Sequence, residues 1–367
     1  LRLRCAEVRS DRTTRSIDLL GDADGGVTVT RTDPGFAFVA TVGSARVEED
    51  ADRITGFGPG EGRMESDDPS SPYSDARLNW GGGFVFDGSI DRLELLGGVD
   101  VAATRDASEV HTASGERAEI DLEGVSEGDT RVVGARLYAG PGPDGQEIPA
   151  TAEARRTAPN PSFAGGDGAP RVLESLLSMS AGELLVDAQA QTMRAPGAGR
   201  LVVEDQRPDE RTEDPDTADT RSTTRGTSVF RWAGGMDLDL ASGEATLERD
   251  VRVRHLARGA DDVTQLDCQR LDAFFTSEDP DNPNAFAVTR LLARESVYAG
   301  HLGLELLADS LEYLASREQI RADARGGNRV TVFDPERAGH YTASSVLLDL
   351  VTGNWTSTDA TGAVGAP

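Results

Sequence analysis

Apolar and polar residues alternate over short runs along nearly the whole chain, and the runs stop at clusters of Gly, Asp, Asn or Pro. Val27-Thr28-Val29 follows the turn Asp22-Ala23-Asp24-Gly25-Gly26, and Val99-Asp100-Val101 follows Gly97-Gly98. Val251-Arg252-Val253 follows Glu248-Arg249-Asp250, and Val330-Thr331-Val332 follows Gly326-Gly327-Asn328. A period of two puts one set of side chains on a buried face and the other in water, so the pattern predicts β-structure almost throughout. Helical spacing is rare. Val172, Leu173, Leu176 and Leu177 fit one face of a short helix and fit a strand equally well. Pro208 to Thr224 has almost no apolar residue and reads as a long exposed acidic loop, and the Pro-rich stretch from Gly140 to Gly168 reads as a linker.

The pattern also repeats. Trp80-Gly81-Gly82-Gly83-Phe84-Val85-Phe86-Asp87 matches Trp232-Ala233-Gly234-Gly235-Met236-Asp237-Leu238-Asp239, and Val99 lies 19 residues after Trp80 as Val251 does after Trp232. Leu348-Asp349-Leu350-Val351-Thr352-Gly353 echoes Leu238-Asp239-Leu240-Ala241-Ser242-Gly243. Leu306-Leu307-Ala308-Asp309 parallels Leu184-Leu185-Val186-Asp187, and Leu266-Asp267-Cys268 parallels Leu3-Arg4-Cys5. Such a series predicts tandem units that bury one continuous apolar face. Residues 1–150 are expected to form a first unit with its linker, 151–300 a second carrying the acidic loop 208–224, and 301–367 a partial third.

Length and charge narrow the chemistry. The 367 residues carry 64 Asp and Glu against 37 basic residues, a formal charge of -27, and every basic residue is Arg. Without Lys there is no Schiff-base or P-loop chemistry, and the acidic excess repels phosphate backbones, which argues against nucleic acid as a partner. The 41 glycines suit a turn-rich fold rather than a disordered chain. No apolar run approaches the eighteen or so residues of a membrane-spanning helix. The chain starts at Leu1 without Met, consistent with removal of a targeting or anchor segment. Cys5 and Cys268 allow one disulfide or two buried thiols.

Candidate reactive groups are sparse. His111, His255, His301 and His340 lack the short spacing of a metal site, although His255 shares parity with Val251 and Val253 and is expected to point inward at a strand end. Gly140-Pro141-Gly142-Pro143-Asp144-Gly145 formally fits a dinucleotide fingerprint but opens no helix, and Asp22/Asp24 and Asp279/Asp281 lack the Gly and Glu of an EF-hand loop. No nucleophile elbow is present, so neither a cofactor, a metal nor a catalytic residue is assigned. Arg249, Arg252, Arg254 and Arg258 form a basic stripe; Arg252 and Arg254 face away from the valines and are candidates for an anionic headgroup.

The Leu-x-Ala-Asp-x-Leu pattern of 306–311, the Gly-rich turns, the Val-x-Val strands and the Leu-Asp-Leu-x-x-Gly segments together resemble the OstA-like (LptA-like) family of lipopolysaccharide export, best over residues 170 to 360 and more loosely over the first 130. The resemblance implies an all-β fold of tandem folded-over β-jellyrolls, the β-taco, stacked into an elongated twisted sheet with an apolar trough. It implies a periplasmic, non-enzymatic carrier of lipopolysaccharide or a related envelope lipid, anchored to the inner membrane if an upstream segment exists. Partners would be the lipid and other β-jellyroll proteins joined by end-to-end strand pairing. The trough is expected to be lined by Trp80, Phe84, Phe86, Val99, Val101, Trp232, Met236, Leu238, Leu240, Val251, Val253, Leu306, Val330 and Val332. The alternatives are a structural or adhesive envelope repeat protein with no lipid ligand, and a β-fold glycan enzyme with a carboxylate pair.

Overall fold

A computed structural model describes residues 2–21, 25–33, 36–66, 75–106, 108–124, 130–142, 144–159, 170–207, 225–279, 282–301, 303–334, 339–350 and 354–364. The fold is all-β; among the described residues the helical content is two 3-10 turns, Glu49–Ala51 and Ala315–Arg317. Strand pairing closes a ten-stranded barrel, with many further strands outside it. The chain divides into two compact units, one of Leu1–Val172 with Ser178–Met193 and one of Leu173–Leu177 with Arg194–Pro367.

In the first unit the long strands change partners half-way. Within Arg92–Asp106, residues 92–96 pair with 83–87 and residues 99–104 pair with 75–80. Gly97 and Gly98 lie between the halves, each at φ 78°, a left-handed conformation that favours glycine. The neighbouring chain turns the same corner at Gly81 and Gly82, whose N–H groups donate to Gly97 O and Leu96 O, both at 2.8 Å. The halves therefore form two antiparallel ladders meeting along a line of corners. The first arm runs through half-strands 16–20, 44–48, 53–57, 83–87, 92–96, 117–121, 134–138 and 183–187. The second runs through 2–4, 27–33, 36–42, 60–66, 75–80, 99–104, 109–114 and 151–156.

Register aligns the inward side chains into rows parallel to the corner line. The row next to the corner on the first arm is Leu19, Ala45, Gly56, Phe84, Leu95, Ala118, Leu137 and Leu184, buried throughout. Its counterpart on the second arm includes Val27, Val42, Trp80 and Val99, none more than 3 % exposed. Rows so well covered on the inward side are covered by one another. Trp80 on one arm and Phe84 on the other meet edge-on across the corner, ring centroids 5.5 Å apart. Glycine is required beneath them: a Cβ on Gly56 would lie 2.3 Å from the Phe84 ring, and one on Gly60 2.7 Å from the Trp80 ring.

The second unit is built alike, at the offset the repeat predicts. Arg249 and Asp250 occupy the positions of Gly97 and Gly98 and adopt the same left-handed backbone, φ 61° and 47°. Ala233 and Gly234 N–H donate to Arg249 O and Glu248 O at 2.8 and 2.7 Å, as Gly81 and Gly82 do in the first unit. The outer faces match too. Glu119, 8 % exposed, is held by Arg117 and by Arg136 at 3.3 Å; Asp272, also 8 % exposed, is held by Arg270 at 3.0 Å and Arg294 at 2.8 Å.

Several expectations change. Residues 172–177 lie in the strand Arg171–Ala181, so the helical reading fails. The expected linker holds the ten-residue strand Ala150–Pro159, paired with Glu109–Glu123, because its period-two pattern is carried by alanines too small to stand out as apolar. Residues 301–367 fall within the second compact unit, where their strands pair onto both arms. Leu306–Asp309 precedes its corner on the second arm whereas Leu184–Asp187 follows its corner on the first, so those two segments are not equivalent; so short a Leu-Leu-x-Asp pattern suits either end of a half-strand. Cys5 and Cys268 do match, each falling at a corner. The acidic loop 208–224 and the turn Asp22–Asp24 lie outside the described residues.

Candidate functional site

The second unit's interior is layered. On its first arm the row beside the corner is Met236, Leu247, Leu271, Ala293, Leu311, Ala322 and Val346, all at 4 % exposure or less. The next row outward is Leu238, Ala245, Ala273, Leu291, Tyr313, Ile320 and Leu348, still apolar but mostly half-buried. On the second arm the first row contains Trp232, Val251, Cys268, Val297, Val330 and Ala343, and the second contains Phe230, Val253, Leu266, Ala299, Leu306, Val332 and Tyr341. The third row turns polar: Ser228, His255, Thr264 and His301 stand on four successive strands, all half-buried.

This layering places the residues expected in the trough. Trp80, Phe84, Val99, Trp232, Met236, Val251, Val253, Leu306, Val330 and Val332 are buried, while Phe86, Val101 and Leu238 are half-buried in outer rows. Leu240 departs from the inward set: it lies past the end of the strand Gly235–Asp239, in the turn, and is 41 % exposed. The indole Nε1 of Trp80 and of Trp232 is buried without an acceptor, a repeated cost of about 1–3 kcal/mol outweighed by burial of a whole aromatic ring.

The basic stripe does not act as a unit. Arg252 is exposed, but Arg254 grips Asp267 on the adjacent strand with two bonds of 2.6 and 3.2 Å, which neutralises its charge. Among the histidines, His255 points inward as parity predicts, His301 joins it from two strands away, and His340 is exposed. Ser228 Oγ lies 2.8 Å from His255 Nδ1, and Thr264 Oγ1 lies 2.8 Å from His301 Nδ1. Burial holds His301 below the ordinary histidine range, with Asp262 opposing and His255 reinforcing that shift. In the first unit His111 Nε2 lies 2.6 Å from the carboxylate of Glu109, which is 1 % exposed and has Arg105 and Arg156 each at 3.9 Å.

Burial pushes the Cys268 thiol up to about 12, so it is a small core residue rather than a nucleophile. Among the described residues no group of three metal-ligating side chains converges. A cleft of about 130 Å³ lies at the first unit's corner between Gly98, Ser114, Gly140 and Ile148; drug-sized ligands occupy roughly 300–1,000 Å³.

No protein-family model matches the chain, and no curated protein matches it. The histidine row was only half legible in the sequence. Parity exposes His255, but nothing local sets His301 beside it; the strand pairing does. The Arg-x-Glu and Arg-x-Asp segments at 117–119 and 270–272 share one repeat position and were visible in principle.

Proposed function

We propose that this chain is a folded-over β-jellyroll carrier for an acylated envelope lipid of the lipopolysaccharide class, acting without catalysis as a periplasmic bridge or chaperone. The observation that carries this reading is the layering of the interior. The corner rows seal the fold, and the next rows present Leu238, Leu291, Tyr313 and Ile320 half-buried along one continuous apolar strip. An acyl chain laid along that strip would gain roughly 0.8 kcal/mol per methylene removed from water. The first strands support end-to-end assembly: Glu7–Asp11 pairs on one side with Ser16–Leu20 and is exposed along its whole length.

Photo-crosslinking amino acids at Leu238 and Leu291 test the reading in cells. Capture of lipopolysaccharide at both, with none at sealed Val251, is the expected result. A folded protein that yields no lipid adduct from either outer-row position refutes it. A second reading, an envelope repeat that binds nothing, draws on the closely packed corner rows and predicts that refuting outcome.

A further inference from the structure

On the second arm of the second unit the apolar row of Phe230, Val253, Leu266 and Ala299 is flanked on its outer side by the polar row Ser228, His255, Thr264 and His301. Polar groups on the inward face of a sheet are costly unless bonded, and here they bond in pairs: hydroxyl to Nδ1 at 2.8 Å, twice. Among the described residues no hydrogen bond engages the Nε2 of His301, whose ring is half-buried. The corresponding row of the first unit holds Ala103, His111 and Ala154, where the one imidazole is bonded to the Glu109 carboxylate instead, so the hydroxyl–imidazole pairs belong to the second unit's sequence and not to the fold.

Cations gather at the ends of the same strands. Arg258, three residues past His255, donates Nη1 to Arg207 O at 2.8 Å, and Arg225, three residues before Ser228, donates to the same oxygen at 3.4 Å. Two guanidinium groups sharing one carbonyl repel each other, in a chain whose overall charge is -27. Arg207 is itself paired with Asp205 at 2.7 and 3.0 Å, and among the described residues no carboxylate pairs with Arg258.

We propose that this row binds an anionic phosphate group, carried by the amphiphile whose chains lie on the apolar strip. The inference rests on the carrier reading above. An anionic oxygen selects the tautomer in which the hydroxyl donates to Nδ1 and Nε2 bears the hydrogen, so the imidazole becomes a donor without any net proton uptake. Arg258 supplies the neutralising charge at the rim.

Titration of the full chain with dodecyl phosphate, dodecyl maltoside and inorganic phosphate, followed by calorimetry, tests it. A hydrogen bond to a charged group corresponds to about tenfold or more in affinity, so dodecyl phosphate is expected to bind about tenfold more tightly than dodecyl maltoside, and inorganic phosphate far more weakly than either. The His255→Gln/His301→Gln double variant is expected to lower dodecyl phosphate to the maltoside level, with maltoside binding unchanged. Thr264→Val, which removes only the partner of His301 Nδ1, lowers the preference in part, and His340→Gln on the outer surface leaves it intact. Retention of the full preference by both row variants overturns the proposal. Equal binding of inorganic and dodecyl phosphate overturns the amphiphile as source of the group. If wild type binds neither amphiphile, the carrier reading itself fails, whereas binding of both without preference refutes the phosphate site alone.

Discussion

Gly97 and Gly98 share one backbone angle, φ 78°, but not one environment, which allows the corner to be dissected. A Cβ on Gly98 would meet no atom within 4 Å, whereas one on Gly97 would lie 2.5 Å from Gly82 N and 2.8 Å from Gly82 Cα. Gly98→Ala therefore introduces only the left-handed strain, about 1–2 kcal/mol, offset by roughly 0.4–1 kcal/mol from a stiffer unfolded chain. The net expectation is a loss of about 1 kcal/mol. Gly97→Ala adds a clash with backbone that cannot move without breaking the bond from Gly81 N–H to Gly97 O, and is expected to cost about 3 kcal/mol or more. For a unit of this size each kcal/mol shifts the melting temperature by about 2–4 °C, so the two variants should separate clearly in thermal unfolding followed by Trp fluorescence. Equal losses would refute the claim that the corners are set by close backbone approach. A Gly98→Ala variant as stable as wild type would refute the left-handed assignment.

Three further outcomes follow from the same geometry. Leu271→Ala, in the fully sealed row, is expected to cost about 3–5 kcal/mol in urea unfolding, against about 1–2 kcal/mol for half-buried Leu291→Ala one row out; equal costs would deny the layering. His301 titrates below the ordinary histidine value of 6.5, so the folded state resists its protonation: its contribution is full above about pH 6.5 and is lost as pH falls through the depressed value. Histidine NMR titration should find it on the acid side of 6.5, and a value above 6.5 would contradict its burial. Cys268, whose thiol is pushed up to about 12, should resist iodoacetamide at pH 8 until the chain unfolds, and rapid native labelling would show that the corner row is open.

Much of the local structure was legible from residue pattern. Alternation of the Val-x-Val kind marks strands because a pleated backbone sends successive side chains to opposite faces, and burial follows that parity from Val99 and Val251 to Val330 and Val332. The offset between Trp80 and Trp232 carried more than strands. It aligned the corners themselves, so that Arg249 and Asp250 adopt the backbone of Gly97 and Gly98 without sharing their composition. Alanine-based alternation at 150–159 was too faint, since a methyl group contributes little apolar signal while packing as well as any residue against a neighbouring strand.

What the amino-acid pattern determined alone is therefore one-dimensional: which residues extend, which face each takes, where the chain turns, and that the design recurs. Those follow from short-range sterics and solvent preference. The distance of each residue from the corner was decided only by tertiary structure, because register between strands far apart in sequence sets the rows. That register turned one expected trough into a sealed row, a half-buried apolar row and a polar rim, and it brought His255 and His301 into one line. Arg254 was decided likewise, by Asp267 across the ladder, where no local spacing could have announced the pair.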